Sequence, residues 1–301
     1  MRPYLQFILF VFLLLTPLAS FGAETLKLRY LATVSADEKE GQLKFPEGVA
    51  CNDKSVLIVA DTGNGRLVRY TFQDKVLKGG TEIKIPQLVY PVRVQLNAKG
   101  DIYVLDGKQH KIVHLNPEGT FVGYLEPQGM TGSANFVATS FKLDSADNFY
   151  LADISQGRVV VLDPAGKFVK QIDFPKEYGF ISDLALTPGG DILLLDSVNA
   201  VVFVAKKDAA AFALLTNSLR EYMNFPTYVT AGTRGEFYLV DQDGGAIIVM
   251  GLDGSFLGRQ LGLGWKTGLL YYPSQICISK NGEFIVADRN NSRVQIFESV
   301  K

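Results

Sequence analysis

The sequence predicts an all-β fold, a six-bladed β-propeller whose blades are four-stranded antiparallel sheets. It repeats with a period near 45 residues, the repeats consist of short β-rich runs, and no helical pattern separates them. In each unit an aromatic residue precedes the first strand and an Asp closes the second. The Asp markers are Asp61, Asp106, Asp153, Asp196, Asp241 and Asp288, at intervals of 45, 47, 43, 45 and 47 residues. The aromatic markers are Phe45, Tyr90, Phe136, Phe180, Phe225 and Tyr272, at intervals of 45, 46, 44, 45 and 47 residues.

Each unit contains four strands, which we name a to d in chain order. The Lys99-Gly100 pair marks the turn before strand b of the second unit, and the run that follows it ends in Asp106. In the third unit, strand c follows the Asp marker at 158–162. A polar turn at 163–166 then leads to strand d at 167–172. The pattern therefore predicts an antiparallel meander in every unit.

The two ends of the repeat array predict how the ring closes. The sixth unit stops after its third strand, whereas a strand-like segment at 26–34 precedes the first unit. A single meander cannot bury both of its apolar faces, so neighbouring units must stack. We therefore expect the N-terminal strand to complete the last blade, which removes an exposed sheet edge and joins the first blade to the last.

The first 23 residues have the pattern of a secretory signal peptide. Arg2 precedes an apolar run at 7–15, and small residues follow at 19–23. The run is too short to span a bilayer. We therefore expect residues 1–23 to be removed, leaving a single propeller domain over 24–301, periplasmic or secreted, without a transmembrane anchor. This mature chain has 29 basic and 31 acidic residues, a balance that provides no attraction to nucleic acid or anionic membranes.

Both cysteines fall in the first strand of a repeat. Cys51 lies ten residues before Asp61, whereas Cys277 lies eleven residues before Asp288. Since side chains alternate between the two faces of a strand, this offset points the cysteines to opposite faces of their sheets. The spacing therefore favours buried free thiols over a disulfide.

Two of the units resemble the NHL repeat. The resemblance is carried by 262–297, which includes the run Ala-Asp-Arg-Asn-Asn-Ser-Arg-Val-Gln-Ile-Phe, and by 45–66 with its Phe-Pro-Glu-Gly start. The units that contain Val201 and Ala246 depart from it, because these residues replace a basic residue five positions after the Asp. The resemblance implies a six-bladed propeller. NHL propellers serve both as binding platforms and as enzyme scaffolds, so it does not choose between these functions.

The Asp markers and the basic residues that follow them predict ion pairs across the turn between strands b and c. Such pairs stabilise the turn, and the alternative is a ring of basic side chains that attracts an acidic partner. The b–c turns share one face of a propeller with the segments that lead into strand a, and loops on a rigid scaffold are common recognition sites. The binding candidates on this face are Asn64, Arg66, His110, Arg158, Trp265, Arg289, Asn291 and Arg293. For Trp265, a core position under its loop is the alternative.

Catalytic groups are scarce in this sequence. His110 and His114 belong to one unit, whereas amidating-lyase propellers, which resemble NHL proteins in fold, use histidines from different blades around their metal. Six-bladed lactonases place acidic and Asn ligands around a calcium ion in the central tunnel. The residues that could play that role here are Glu47, Asp183 and Asn224.

The sequence thus predicts an exported, non-catalytic platform that binds another exported or envelope protein, or a peptide, through the b–c turns. The alternative is a metal-dependent hydrolase resembling lactonases, with its site at the mouth of the tunnel. No cofactor is predicted for the platform, and Ca²⁺ belongs to the alternative. The sequence leaves the partner, the oligomeric state and the choice between periplasm and exterior open.

Overall fold

The structure, a computed structural model, describes residues 26–130 and 136–300. These residues form six four-stranded antiparallel sheets, which confirms the predicted propeller. Contacts between successive strands a, and between the last and the first, arrange the sheets as a closed ring. The expected signal peptide at 1–23 lies outside the described residues. Within the described part of the chain, no helix has the length and apolarity needed to cross a membrane.

The strands follow the predicted meander, with strand a nearest the axis and strand d outermost. In order a to d, blade one contains β2 (Gly48–Cys51), β3 (Val56–Asp61), β4 (Arg66–Gln73) and β5 (Val76–Ile83). Blade two contains β6 (Pro91–Leu96), β7 (Ile102–Asp106), β8 (Lys111–Leu115) and β9 (Phe121–Tyr124). Blade three contains β10 (Ala138–Leu143), β11 (Phe149–Asp153), β12 (Arg158–Leu162) and β13 (Phe168–Asp173).

The second half of the ring repeats this arrangement. Blade four contains β14 (Ile181–Leu186), β15 (Ile192–Asp196), β16 (Val201–Ala205) and β17 (Ala213–Leu214). Blade five contains β18 (Pro226–Ala231), β19 (Glu236–Asp241), β20 (Ala246–Gly251) and β21 (Phe256–Gln260). Blade six contains β22 (Pro273–Ile278), β23 (Phe284–Asp288), β24 (Arg293–Val300) and β1 (Lys27–Val34). Single 3₁₀ turns occur at Thr62–Asn64 and Arg289–Asn291.

The hydrophobic core lies between the blades. Strands b and c are rich in Val, Ile and Leu and are almost entirely buried on both faces. Each pair of neighbouring blades shares a cluster of these side chains; Leu105 of blade two, for example, belongs to the same cluster as Leu151 and Val160 of blade three. Since each sheet buries its faces against its neighbours, the stability of a blade depends on the intact ring.

The N-terminal strand closes the ring as predicted. β1 pairs antiparallel with β24, with Arg29 opposite Glu298 and Thr33 opposite Gln295. Its last residue, Val34, is 3% exposed and packs in the cluster between blades six and one. The first segment of the propeller therefore forms the outer edge of the last blade.

The prediction of free thiols is wrong. Cys51 in β2 and Cys277 in β22 form a disulfide between blades one and six, with their Cα atoms 6.0 Å apart. The one-residue offset does direct the two side chains to opposite faces of the repeat. However, neighbouring blades contact each other through opposite faces, so this offset brings the cysteines together across the closing interface.

Candidate functional site

The Asp markers fix one face of the propeller, and all six are fully buried. Each carboxylate accepts backbone N–H bonds from the segment leading into strand a: Asp61 from Lys44, Asp106 from Val89 and Tyr90, Asp153 from Val137, Asp196 from Gly179 and Phe180, Asp241 from Asn224 and Phe225, and Asp288 from Tyr271. These bonds join the lead-in segments to the b–c turns. We call this combined surface the b–c face.

The amide donors determine the ionisation of two of these carboxyls. Burial disfavours the charged form of Asp196, but N–H donors including Asn199 and Gly179 outweigh it, so the pKa of this carboxyl lies below its ordinary value. The pKa of Asp106 is lowered in the same way: burial opposes ionisation, and amides including that of Tyr90 overcome it. Both markers therefore remain charged without an arginine partner.

Three of the predicted Asp–Arg pairs form. The distances from Nε to Oδ2 are 2.7 Å for Arg66–Asp61, 3.1 Å for Arg158–Asp153 and 2.7 Å for Arg293–Asp288. Arg66 is 7% exposed and Arg158 only 4%, so these guanidinium groups lie inside their blades rather than on the rim. Burial works against the charge of Arg66, yet Asp61 and Asp37 outweigh it and raise its pKa.

The remaining blades replace this pair by other contacts. In blade five Arg259 of β21 lies 2.9 Å from Asp241, so the cation comes from strand d instead of strand c. In blade two Lys111 is exposed and its Nζ lies 4.6 Å from the ring centroid of Tyr124. In blade four Asn199 Nδ2 donates to Asp196. The Asp is therefore the constant part of the motif.

The other binding candidates divide into anchors and exposed groups. Asn64 donates to Asp61, and Arg289 Nε lies 3.0 Å from Glu47 Oε1. Asn291 donates to Asp288 and to the carbonyl of Gly264, and thereby holds the segment that carries Trp265.

Two candidates face solvent. Trp265 is 78% exposed, so its side chain lies on the rim and not in the core under its loop. His110 is also exposed, in the b–c turn of blade two.

Exposed apolar side chains concentrate on the b–c face. Among the described residues, nine of the sixteen exposed large apolar side chains belong to it and seven lie on the outermost strands, whereas none lies in the a–b or c–d turns of the opposite face. Scattered exposed apolar residues are normal, but a one-sided distribution indicates a contact surface. The nine are Phe45, Val89, Ile154, Tyr178, Phe180, Val198, Leu263, Trp265 and Tyr271.

The three predicted calcium ligands do not converge on a common site: Glu47 and Asp183 are engaged in other contacts, and Asn224 lies elsewhere. Glu47 pairs with Arg289, and Asp183 accepts the amide of Val229 at 2.8 Å and lies 3.6 Å from Lys142 Nζ. Asn224 is exposed at the rim. Across the described ranges, no group of three or more His, Cys, Asp or Glu side chains is arranged to hold a metal ion.

A cluster of polar side chains crosses the axis of the ring. In blades two to six, strand a contains a β-bulge one residue after its start, which re-aims the following side chains. Arg93 of blade two reaches Tyr228 on the opposite blade, with its guanidinium carbon 5.5 Å from the ring centroid. Lys142 of blade three lies 3.9 Å from the same centroid. Two cations thus contact one aromatic ring.

Gln275 of blade six completes this layer. Its Nε2 donates to the carbonyl of Val94 in blade two at 3.0 Å, which bridges past blade one. The bridge requires a small residue in blade one: a Cβ atom on Gly48 would lie 3.3 Å from Gln275 Oε1 and 2.9 Å from the Cβ of Ala60. Side chains from several blades therefore fill the tunnel at this level.

Sequence reasoning missed Arg93, Lys142, Tyr228 and Gln275. For all of these except Lys142 a signal was available, because the position thirteen residues before the Asp marker carries a different kind of residue in every unit. Its occupants are Gly48, Arg93, Ser140, Asp183, Tyr228 and Gln275. A position whose residue type changes from unit to unit does not have the structural role that the regular positions share.

Comparisons with known proteins agree with this architecture. A family profile for the NHL repeat matches residues 270–297. A virginiamycin B lyase from Staphylococcus aureus has a TM-score of 0.63 and 11% identity, covering 91% of this chain and 100% of the lyase. A streptogramin B lyase has a TM-score of 0.60 and 13% identity, covering 93% of this chain and 100% of that lyase. A candidate gluconolactonase has a TM-score of 0.66 and 14% identity, covering 91% of this chain and 92% of the gluconolactonase.

At these identities the likeness to solved structures shows the fold alone. No protein of curated function matches the chain by sequence. The chain is thus a six-bladed β-propeller with an NHL repeat in its last blade, in the same propeller class as these enzymes.

Proposed function

We propose that this propeller is an exported, non-catalytic platform whose b–c face binds a segment of another exported or envelope protein. The observation that carries the proposal is the one-sided distribution of exposed apolar side chains. Interfaces are dominated by a few aromatic anchors surrounded by weaker contacts. Trp265 and Phe180 have the size and exposure of such anchors.

The anchors project from a rigid surface. The segment that carries Trp265 is held by Asn291 Nδ2 to the Gly264 carbonyl, by Arg293 Nη2 to the Leu269 carbonyl, and by Gln295 Oε1, which accepts the amide of Gly268. A surface ordered before binding loses less conformational entropy when a partner docks. The Asp markers therefore support binding indirectly, by fixing the lead-in segments.

Export is supported by two independent features. The Cys51–Cys277 disulfide is a bond that persists in oxidising compartments such as the periplasm or the exterior. The apolar run at 7–15 has the length of a signal sequence rather than of a membrane span. Both are consistent with a partner in the cell envelope or outside the cell.

Site-specific photo-crosslinking tests the proposed face. We expect a benzoylphenylalanine at Trp265 or Phe180, introduced in the producing cell, to yield discrete crosslinked partners. Val122 and Val169 serve as controls, because they are 57% and 55% exposed but lie on the outermost strands. Trp265→Ser should weaken capture of the crosslinked partner about tenfold or more, since an anchor contributes about 2 kcal/mol. Equal crosslinking from all four positions would refute the proposal.

The alternative is an enzyme that shares the fold of the lyases and the gluconolactonase. Replacing a His by Ala makes the virginiamycin B lyase from Staphylococcus aureus catalytically inactive, and the structure of that variant contains quinupristin. Here the histidines are both in blade two, and His114 stacks on Tyr103 with ring centroids 4.4 Å apart, away from the axis. For the hydrolase, Glu47 and Asp183 would have to leave their cationic partners. Stabilisation of the protein by about 5 mM calcium, together with lactone hydrolysis, would favour this alternative.

A further inference from the structure

The tunnel mouth contains a cation that lacks a carboxylate partner. Arg93 Nη1 donates to Ser274 Oγ at 3.1 Å and to the Val92 carbonyl at 3.4 Å, and both acceptors are neutral. Among the described residues, no Asp or Glu lies within ion-pair distance of its guanidinium. Arg93 is nevertheless only partly exposed, so its charge has lost part of its hydration without a carboxylate to replace it.

The other charged groups near Arg93 do not supply this compensation. Asp183 is a buried acid in the same layer of strands a, and it pairs with Lys142 at 3.6 Å. Glu47 lies at the same end of the tunnel and pairs with Arg289 at 3.0 Å. Three cations thus share two carboxylates, and the unmatched positive charge belongs to Arg93.

Other buried polar atoms at the same end of the tunnel also lack a hydrogen-bond partner. The hydroxyls of Thr139 and Thr227, like Nε of Arg93, are buried without a hydrogen-bond partner. Thr227 directly precedes Tyr228, over whose ring Arg93 lies. Both threonines occupy the bulge position of strand a, at the end of the tunnel that opens on the b–c face. Buried polar groups are normally paired, so unpaired ones at the same end of the tunnel as a cation without a carboxylate indicate a missing anionic acceptor.

We infer that the tunnel mouth binds a carboxylate, and that Arg93 is the residue that recognises it. The planar guanidinium has a free Nη2 group, and arginine matches the geometry of a carboxylate. The hydroxyls of Thr139 and Thr227 are two further donors at the same end of the tunnel. In the setting of the proposed function, the carboxylate is an acidic side chain or the C-terminus of the docked segment.

The test uses acetate as the probe and acetamide as its neutral counterpart. The intact protein is uniformly labelled with ¹⁵N and titrated at constant ionic strength, while the Nε–H resonance of Arg93 is followed by NMR. We expect a saturable shift with acetate and none with acetamide. Arg93→Gln should abolish the saturable response, observed through the backbone amides of the tunnel strands, whereas Arg69→Gln should leave it unchanged. Arg69 is a matched control, because it is also partly buried without a carboxylate in ion-pair range but lies outside the tunnel.

A second variant keeps the inference falsifiable if Arg93→Gln fails to fold. Thr227→Val preserves the shape of the side chain and removes only the hydroxyl, so it should weaken acetate binding about fivefold, the effect of one hydrogen bond. An identical response to acetate and acetamide would overturn the inference, as would phosphate binding at least tenfold tighter than acetate. Because no partner protein is present, these results are independent of the crosslinking that tests the b–c face.

Discussion

A buried Asp that accepts backbone amides is the most constant feature of each repeat. Asp196 illustrates the chemistry: its carboxylate accepts N–H bonds from Gly179, Phe180 and Asn199 and has no arginine beside it among the described contacts. Charge-assisted bonds to amides are strong because the donors are fixed by the backbone and shielded from water. The basic residue five positions later adds to this arrangement, and blade four folds without it.

We predict that Asp196→Asn destabilises the protein by about 1–3 kcal/mol at pH 7, because an amide replaces the charged acceptor. The folded-state pKa of Asp196 is lowered. Its contribution is therefore complete above the unfolded pKa of about 3.9 and is lost as the pH falls through the lower folded value. Urea unfolding at pH 7 and near pH 3 should show a shrinking difference from wild type. Asp208→Asn, at an exposed position, should have little effect at either pH, and a pH-independent loss at Asp196 would contradict the argument.

Single strands adapt the common blade to particular tasks. β17 contains only Ala213 and Leu214, and the amide of Leu215 still bonds to the Val202 carbonyl, so blade four tolerates a shortened outer strand. The bulge in strand a recurs in five blades and directs side chains across the axis. β1 has the largest consequence, because it covers the outer edge of β24.

Removal of residues 24–34 should expose the edge of β24 and uncover the cluster around Val34 and Leu31. We expect a fall in Tm of about 10 °C, at 2–4 °C for each kcal/mol lost, together with concentration-dependent aggregation through the open edge. Thermal unfolding and sedimentation measure these effects. A synthetic peptide of residues 24–34 should restore Tm, whereas a scrambled peptide should not. An unchanged Tm in the truncated protein would show that β1 is dispensable for closure.

At the scale of the whole molecule, two devices hold the first and last blades together. One is the β1–β24 pairing, and the other is the Cys51–Cys277 disulfide, which links residues 226 positions apart. A ring without a closing contact would expose the faces of blades one and six to water. Closure therefore protects the core and also keeps the b–c face and the tunnel mouth in one fixed geometry.

The Cys51→Ser/Cys277→Ser double variant should lose about 2–4 kcal/mol of unfolding free energy. Dithiothreitol should lower the Tm of the wild type to that of the double variant. It should leave the Tm of the double variant unchanged. Differential scanning calorimetry with and without reductant makes the comparison. Equal Tm values for oxidised wild type and double variant would mean that the disulfide adds nothing to closure.

The number of blades, the strand order and the closing strand all followed from the sequence. The first two depend on periodic markers such as Asp61 and Asp288 and on pairing between segments close in the chain, so the repeat encodes them directly. The closing strand followed from the unfinished last unit and the unmatched strand at 26–34. The positions of the b–c turns on one face follow from the same meander. The Arg66–Asp61 pair also followed, whereas the choice between a rim and a core position for Trp265 did not, because the orientation of the indole depends on how its loop packs.

Which residues meet across blades became visible in the folded ring alone. The offset of Cys51 and Cys277 was visible in the sequence, but its meaning depended on which faces of two blades contact each other. Arg93 meets Tyr228, and Gln275 meets Val94, through the curvature of the whole ring. The repeat pattern specifies hydrogen bonding within a blade, whereas contacts at the axis depend on how six blades are packed, and no local pattern contains that information.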